Sequence, residues 1–288
     1  MNRDGSDRET RLLKAQTSLK YLLELPAVYE GSLSKVYRAQ DLSLNRTVCV
    51  KEIDYTQLSR KERSTLQSEI TVWCDYARKT MKMPQFYYTF EADNKSYIVM
   101  QWIEGKTLRS VMEEKKTGFW QKLDYCIQLC DALAPIHRER KQHKDLKPEN
   151  IQIANDHQIY LMDFNISAAV PHVGTGTDGY LAPERSGISM QSSACRVDIF
   201  AIGVIMYELF TGCIPVFGLD YVCEPQDKEW QFYVKPSEKT TGFPIGLDRI
   251  IERCMALQWR DRYPDAAAVG RDLKNIKKTL KNQGGKKG

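Results

Sequence analysis

The stretch His143-Lys144-Asp145-Leu146-Lys147-Pro148-Glu149-Asn150 carries the most information about this chain. Two shorter pieces follow it, Asp-Phe-Asn at residues 163–165 and Ala-Pro-Glu at residues 182–184. Asp145 lies five residues before Asn150 and 18 residues before Asp163. Each piece alone would be a weak signal, so the interpretation depends on their order and intervals taken together.

The composition is that of an ordinary globular protein. The chain has 288 residues, of which 42% are hydrophobic and 27% are charged. These fractions exclude wholesale disorder, a collagen and a coiled coil. At about 150 residues per domain the length predicts roughly two units.

The net charge of +5 is concentrated at the C-terminus. Residues 271–288 hold seven Lys or Arg and one Asp, so this segment carries +6 and the other 270 residues carry −1. A basic tail can contact nucleic acid or an anionic membrane. The simpler expectation is the solvated face of a last helix with a frayed end, without a nucleic-acid partner.

Three features predict a cytoplasmic protein. The N-terminus lacks the apolar segment of a signal peptide. The longest apolar run, residues 197–216, contains Asp198 and Glu208, which favours a buried helix over a membrane span. The eight cysteines form no Cys-x-x-Cys pair, which predicts reduced thiols. Cys126 and Cys130 are four residues apart, which predicts core packing on one helix face.

The first hundred residues predict five strands and one helix. Residues 1–18 are polar and are expected to be loose or helical. Alternation and turn residues predict strands over 21–29, 34–40, 46–53, 85–91 and 96–102. Apolar residues at helical spacing predict a helix over residues 58–79 with one buried stripe.

The second part of the chain is mostly helical. The expected helices are residues 107–115, 119–140, 195–213, 245–257 and 265–280. Short apolar pieces at 150–153 and 158–162 predict a hairpin. The predicted organisation is an α+β fold with an N-terminal extension (1–20), a β-rich lobe (21–103), a helical lobe (104–280) and a flexible basic tail (281–288).

With these elements in place, residues 21–280 resemble the eukaryotic-type protein kinase family, in its serine/threonine branch. The Val-Cys-Val-Lys run that ends at Lys51 matches the strand with the phosphate-anchoring lysine, and Glu69 follows it by 18 residues. Arg262 resembles the late arginine that pairs with the glutamate of Ala-Pro-Glu, here Glu184. The resemblance implies a bilobal kinase fold and leans towards the bacterial kinases of this type.

The resemblance also implies transfer of the γ-phosphoryl group of ATP to serine or threonine of a protein substrate. Lys51 would anchor the phosphates, and Glu69 would hold this lysine in place. Asp145 would accept or orient the proton of the substrate hydroxyl, and Lys147 would neutralise charge on the transferred group.

The metal ligands implied by the resemblance are Asn150 and Asp163, which offer the oxygen atoms that Mg²⁺ prefers. Mn²⁺ is an alternative ion. No cluster of His, Cys and Asp has zinc spacing, so a zinc site is not expected. His143 is expected to be structural, whereas His137 and His172 are expected to be solvated or satisfied by local bonds.

The same alignment outlines a nucleotide pocket. The residues that it places around the nucleotide are Gly31, Val36, Cys49, Lys51, Met100, Gln101, Ile103 and Gln152. Met100 is the gatekeeper, and Gln101 and Ile103 belong to the hinge. Gln152 stands below the base, where an apolar residue is usual. An unsatisfied amide there is expected to weaken or alter adenine binding.

Three departures from the family pattern keep an alternative open. Only the middle glycine of the phosphate-covering loop, Gly31, is present, and Tyr29 and Ser34 are expected to stiffen or lift that loop. Asn165 replaces the metal-loop glycine, and Lys144 replaces an arginine that bonds in two-pronged geometry. The alternative is a pseudokinase, a nucleotide-binding or scaffolding module. A small-molecule phosphotransferase of related fold normally lacks Ala-Pro-Glu and the late arginine.

The segment between residues 163 and 184 contains the expected regulatory residues. Thr177 matches the threonine that bonds the catalytic aspartate. Thr175 lies between two glycines and is the expected phosphorylation site, with Lys144 as the cation that receives the phosphate. Oligomeric state and the identity of the protein substrate do not follow from the sequence.

Overall fold

The computed structural model describes residues 10–14, 20–31, 33–143, 145–162, 179–185, 194–215 and 233–284. Contacts between Cα atoms divide the described residues into two units, one ending at Glu104 and the other beginning at Gly105. The first is a sheet lobe and the second is mainly helical, so the α+β fold with two lobes that the sequence predicts is confirmed.

The described residues of the sheet lobe form seven strands and one long helix. Its elements are β1 (Thr10–Lys14), β2 (Lys20–Glu24), β3 (Tyr29–Glu30), β4 (Ser34–Asp41), β5 (Arg46–Asp54), α1 (Arg60–Lys79), β6 (Phe86–Ala92) and β7 (Lys95–Gln101). The antiparallel sheet has the order β1-β2-β4-β5-β7-β6, with β3 paired to β4. Asp93 and Asn94 have φ angles of 51° and 60°, which suits the tight turn between β6 and β7.

The expectation of five strands is wrong, and so is the expectation of a loose or helical chain at residues 10–14. Residues 1–9 and 15–18 lie outside the described residues. β1 pairs with β2 in the register Thr10↔Glu24 to Lys14↔Lys20. Leu13 is buried in the core beside Tyr21 and Leu23, whereas Leu12 is exposed. The strand forms because pairing with β2 and burial in the core favour it. A five-residue segment in which two residues are charged gives little sign of this in its sequence.

Helix α1 begins at Arg60, directly after its N-cap Ser59. Ser59 and Glu62 form a capping box, with 2.8 Å from the Ser59 amide to Glu62 Oε2 and 3.3 Å from the Glu62 amide to Ser59 Oγ. Such a box satisfies backbone donors that the first turn leaves without partners. The predicted stripe is buried through Leu66, Ile70 and Trp73.

The described residues of the helical lobe form six helices and one three-stranded sheet. Its elements are β8 (Gly105–Thr107), α2 (Leu108–Glu114), α3 (Phe119–Arg138), β9 (Ile151–Ala154), β10 (Ile159–Leu161), α4 (Ala194–Thr211), α5 (Pro236–Lys239), α6 (Ile245–Cys254) and α7 (Ala266–Gly284). The strand order is β10-β9-β8. Every predicted helix is present, and the predicted hairpin is β9–β10.

The core of this lobe lies around α3 and α4. Cys126 and Cys130 of α3 are buried as predicted, and burial raises the pKa of the Cys126 thiol to about 12. Helix α7 approaches α3 so closely that a Cβ on Gly270 would lie 3.1 Å from the Cβ of Cys130. None of the helices that the structure describes is long and apolar enough to cross a bilayer.

The basic segment at the C-terminus is largely helical. Lys274 Nζ lies 2.7 Å from Asp131 Oδ1 of α3, and Lys277 pairs with Asp124 of the same helix. The helical face expected for this segment is therefore confirmed. The expected start of a flexible tail at residue 281 is wrong, because α7 continues to Gly284 and Lys281 lies over the Trp120 ring at 5.9 Å.

Candidate active site

Lys51 lies in the middle of the sheet lobe. It is opposite Val36 of β4 and Ile98 of β7, and its side chain is only 4% exposed. Side chains alternate along a strand, so Lys51 and Cys49 share the face opposite to Val48. A buried lysine on a central strand is costly unless a partner compensates its charge. Lys51 has an interaction partner in the structure, and its role as phosphate anchor stays a prediction.

The other predicted nucleotide residues of this lobe occupy neighbouring strands. Cys49 is directly opposite Met100, and both are buried. Ile103, just after β7, is also buried. The Gln101 amide donates to Gln85 O over 2.8 Å, so this part of the predicted hinge is held by the sheet. The structure thus brings Val36, Cys49, Lys51 and Met100 together on adjacent strands.

In the loop that contains Gly31, which departs from the family pattern, the Tyr29 ring packs against the glycine. The Gly31 amide donates to Ser34 O over 2.8 Å, which closes the β3–β4 hairpin. A Cβ on Gly31 would lie 3.0 Å from the Tyr29 hydroxyl oxygen and 3.1 Å from its ring. The Tyr29 ring therefore covers the side of Gly31 where a side chain would stand.

Several predicted site residues lie wholly or partly outside the described residues. Lys144, Asp163, Thr175 and Thr177 fall in undescribed segments. Glu69 belongs to α1, but only its backbone is described. Their roles stay predictions.

The helical lobe brings three predicted residues into direct contact. The Asn150 amide nitrogen donates to the backbone oxygen of Asp145 over 2.8 Å and to its Oδ2 over 2.9 Å. Lys147 Nζ lies 3.4 Å from the same Oδ2. Because the nitrogen of Asn150 is engaged, its Oδ1 is the atom left to act as a ligand. The 3₁₀ turn Pro148–Asn150 fixes this arrangement.

The Asp145 loop is anchored to the core on the side of His143. The His143 amide donates to Asp198 Oδ2 over 2.7 Å, and its ring Nε2 lies 3.0 Å from Met162 O. His143 is fully buried, as expected for a structural histidine. Met162 in turn donates its amide to Asn150 O over 2.9 Å. The residue before Asp163 is thereby tied to the same loop.

The expectation that His137 is solvated or satisfied by local bonds is wrong. Its Nδ1 accepts from the Ala266 amide over 3.0 Å, so Nε2 bears the proton and donates to Asp198 Oδ2, also over 3.0 Å. Both side chains are almost completely buried. His137 therefore joins α3, α4 and the start of α7, through contacts 61 and 129 residues apart in sequence.

A second polar network was not predicted. Arg109 donates from Nε to Glu149 Oε1 (2.7 Å), from Nη1 to Glu208 Oε1 (2.6 Å) and from Nη2 to the Tyr180 hydroxyl (2.6 Å). Tyr180 also donates to Glu208. Burial lowers the pKa of Arg109, but the bonds to Glu208 and Glu149 outweigh it and raise the pKa. Arg109 thereby links Glu149, the neighbour of Asn150, to Tyr180 and to Glu208 of α4.

The remaining residue of the predicted nucleotide pocket, Gln152, lies on β9 opposite Tyr160 and Thr107. It has an interaction partner. The expected effect of Gln152 on adenine binding stays a prediction.

The predicted pair between Glu184 and Arg262 is present. Two hydrogen bonds of 2.8 and 2.9 Å join the guanidinium to the carboxylate. The Arg262 side chain is 0% exposed, and Nε donates to Ala256 O over 2.8 Å. A buried two-pronged pair of this kind ties the Ala-Pro-Glu segment to the core of the lobe.

Comparison with known proteins finds similar chains among bacterial kinases. A probable serine/threonine-protein kinase of Clostridium acetobutylicum is 30% identical over 261 residues, which cover 88% of this chain and 39% of the relative. The serine/threonine-protein kinase PknB of Mycobacterium tuberculosis is 29% identical over 261 residues, with coverages of 85% and 41%. PknL of the same species is 28% identical over 269 residues, covering 91% and 66%. This chain spans about two fifths of the length of the first two relatives.

A family model, the protein kinase domain, matches residues 25–264. The matched range contains Lys51, the Asp145–Asn150 loop and the Glu184–Arg262 pair, whereas β1 and β2 precede it. Since the match and the fold agree over most of the 288 residues, the chain belongs to the protein kinase domain family.

Proposed function

We propose that this chain transfers the γ-phosphoryl group of ATP to serine and threonine hydroxyls of protein substrates. The observation that carries the proposal is the contact of Asp145 with both Lys147 and Asn150. Phosphoryl transfer needs positioning and charge compensation more than covalent chemistry. A carboxylate fixed beside an ammonium group and a ligand amide offers both.

Each residue of this contact has a distinct role in the proposal. Asp145, which is part-exposed, orients the substrate hydroxyl and receives its proton. Lys147 neutralises charge on the transferred group. Asn150 directs its amide oxygen to a divalent cation, and in the sheet lobe Lys51 anchors the phosphates.

Mg²⁺ would supply charge neutralisation and orientation of the phosphates when bound. Kinases of this family generally use ATP and Mg²⁺. The donor set suits a hard cation, because Asn150 presents an oxygen atom. Among the described residues no group of three or more His, Cys, Asp or Glu could hold a metal ion. Asp163, the proposed second ligand, lies outside them.

The comparisons do not support the pseudokinase alternative, because the relatives described above are named as kinases. The Glu184–Arg262 pair disfavours a small-molecule phosphotransferase, which normally lacks it. We also propose a reducing, cytoplasmic location for this part of the protein. The seven described cysteines are all free thiols, which is typical of that compartment.

The proposal is tested by incubating the purified chain with γ-labelled ATP and Mg²⁺, with and without a generic protein acceptor. Phosphoserine and phosphothreonine are the expected products, and Lys51→Met is the matched control for contaminating kinases. Nucleotide binding without any transfer, with either Mg²⁺ or Mn²⁺, would establish the pseudokinase alternative. Label found only on tyrosine would refute the serine/threonine assignment.

A further inference from the structure

The helical lobe contains a cavity that the proposed reaction does not use. It has a volume of about 390 Å³ and lies between α2, the start of α3 and the C-terminal end of α4. This is within the size range of pockets that bind small molecules. Its apolar wall consists of Val111, Met112, Leu209 and Phe210.

The charged groups around this cavity leave two ammonium groups without carboxylate partners. Arg109 and Glu208 both line it, but they bond each other over 2.6 Å. Lys115 and Lys122 also line it, and neither forms an ion pair with a described residue. Against them stands one carboxylate, that of the exposed Glu113. The cavity therefore has an excess of positive charge.

Lys122 is the more unusual of the two lysines. It lies in the first turn of α3 and is half-buried. Burial lowers the pKa of Lys122, and no carboxylate among its surroundings raises it again. An ammonium group in this position is destabilised, and an anion that entered the cavity would relieve this cost.

The start of α3 adds to the same preference. Its N-cap is Gly118, which has no side chain to bond the first amides, and its first turn has no acidic residue. The positive end of a helix dipole favours an anion. Thr117 and Lys122, on either side of this start, both line the cavity.

We propose that this cavity binds a small organic anion, a phosphate monoester or a carboxylate that also has an apolar part. The anionic group would lie at Lys122, and the apolar part would pack against Met112 and Phe210. The proposal does not depend on the proposed kinase reaction, since every contact in it lies within the helical lobe.

The test is titration of the full chain with phenyl phosphate and with benzoate, followed by calorimetry. Benzyl alcohol is the uncharged control and phenyltrimethylammonium is the cationic control. We expect at least one anion to bind with a Kd near or below about 1 mM and neither control to bind measurably. Comparison of the Kd of phenyl phosphate with that of benzoate shows whether the cavity prefers a phosphate monoester or a carboxylate.

Two variants separate a site from general attraction to a basic protein. Lys122→Met should weaken binding of the anion by about tenfold or more, the effect of removing a bond to a charged group. Lys278→Met, on an exposed position of α7, should leave binding unchanged. Equal weakening by both variants, or binding of benzyl alcohol as tight as that of the anions, would overturn the proposal.

A measurement on the unmodified chain keeps the proposal testable if Lys122→Met does not fold. Acylation of lysines by a limiting amount of acetic anhydride, followed by peptide mapping, reports the reactivity of each amine. The bound anion should lower the acylation of Lys122 and leave that of Lys278 unchanged. Absence of protection at saturating phenyl phosphate and benzoate, or no saturable binding of either, would show that the cavity is not such a site.

Discussion

Both terminal nitrogens of the Arg262 guanidinium donate hydrogen bonds to the carboxylate of Glu184, which lies 78 residues earlier in the sequence. The same side chain bonds Arg196 O over 3.1 Å and lies 4.9 Å from the centre of the Phe200 ring. Both charged groups are almost fully buried. Breaking such a pair leaves an uncompensated charge in the core, which costs more than the loss of an exposed pair.

Arg262→Met should therefore lower the free energy of unfolding by about 3–5 kcal/mol. Urea denaturation measures it. Arg260→Met is the matched control, because Arg260 is exposed on the same 3₁₀ turn and should cost less than about 1 kcal/mol. Similar losses for the two variants would show that the buried pair does not stabilise the lobe.

His137→Phe should destabilise the helical lobe by about 2–4 kcal/mol, because it removes one bond to Asp198 and leaves the Ala266 amide without its acceptor. His157→Asn is the control, since His157 is exposed with a φ of 64°, which asparagine tolerates. Thermal unfolding of both variants checks this. An unchanged melting temperature for His137→Phe would mean that the bridge between α3, α4 and α7 is dispensable.

Arg11→Met should reveal that β1 contributes to the free energy of unfolding in a pH-dependent way. Glu52 is buried, with Arg11 Nη2 at 2.5 Å and Lys95 Nζ at 2.8 Å. Burial raises the pKa of Glu52, but the bonds from Lys95 and Arg11 outweigh it and hold the pKa below its usual range. Above about pH 4.3, the ordinary glutamate pKa, the free energy of unfolding of the wild type should exceed that of the variant by about 1–2 kcal/mol.

Below that pH the difference should shrink. The unfolded chain binds a proton at Glu52 before the folded chain does, so acidification favours unfolding until the folded carboxyl is protonated too. Denaturant titrations between pH 3 and 7 test this, with Arg78→Met as control because its pair with Asp75 is exposed. A wild-type advantage that stays constant down to pH 3 would contradict the assigned role of Glu52.

Lys51→Met should reduce the rate of phosphoryl transfer by about 100- to 1000-fold, the usual effect of removing one preorganised charge. Methionine replaces all of the buried side chain except the terminal ammonium group, so the melting temperature should change little. Lys61→Met, on the exposed side of α1, is the matched control and should keep full activity. Wild-type turnover by Lys51→Met would refute the assignment of Lys51 as phosphate anchor.

Periodicity predicted the helices and most strands because these elements bury one apolar face, as the stripe of α1 shows. It failed at β1, whose five residues become a strand only through pairing with β2 and burial of Leu13. It also failed at His137, because nothing local shows that Asp198 and Ala266 approach it in the fold.

Some residues of the candidate site could likewise be predicted from the sequence, and others could not. A short loop fixes the spacing of Asp145, Lys147 and Asn150, so sequence alone could place them together. Arg109 was missed because its partners Glu149 and Glu208 lie 40 and 99 residues away. Glu149 could have pointed to this network, because it is a carboxylate in the central motif to which the sequence analysis assigned no function. The fold shows that its partner is Arg109.

The central claim is that Asp145 serves phosphoryl transfer, and the rate of a single turnover by Asp145→Asn tests it most directly. The bond from Asn150 to the backbone oxygen of residue 145 remains in this variant, so nucleotide binding and stability should be retained. With excess enzyme and labelled Mg-ATP, we expect transfer to serine or threonine to fall by about 100- to 10,000-fold. Transfer by Asp145→Asn at the wild-type rate would contradict the account.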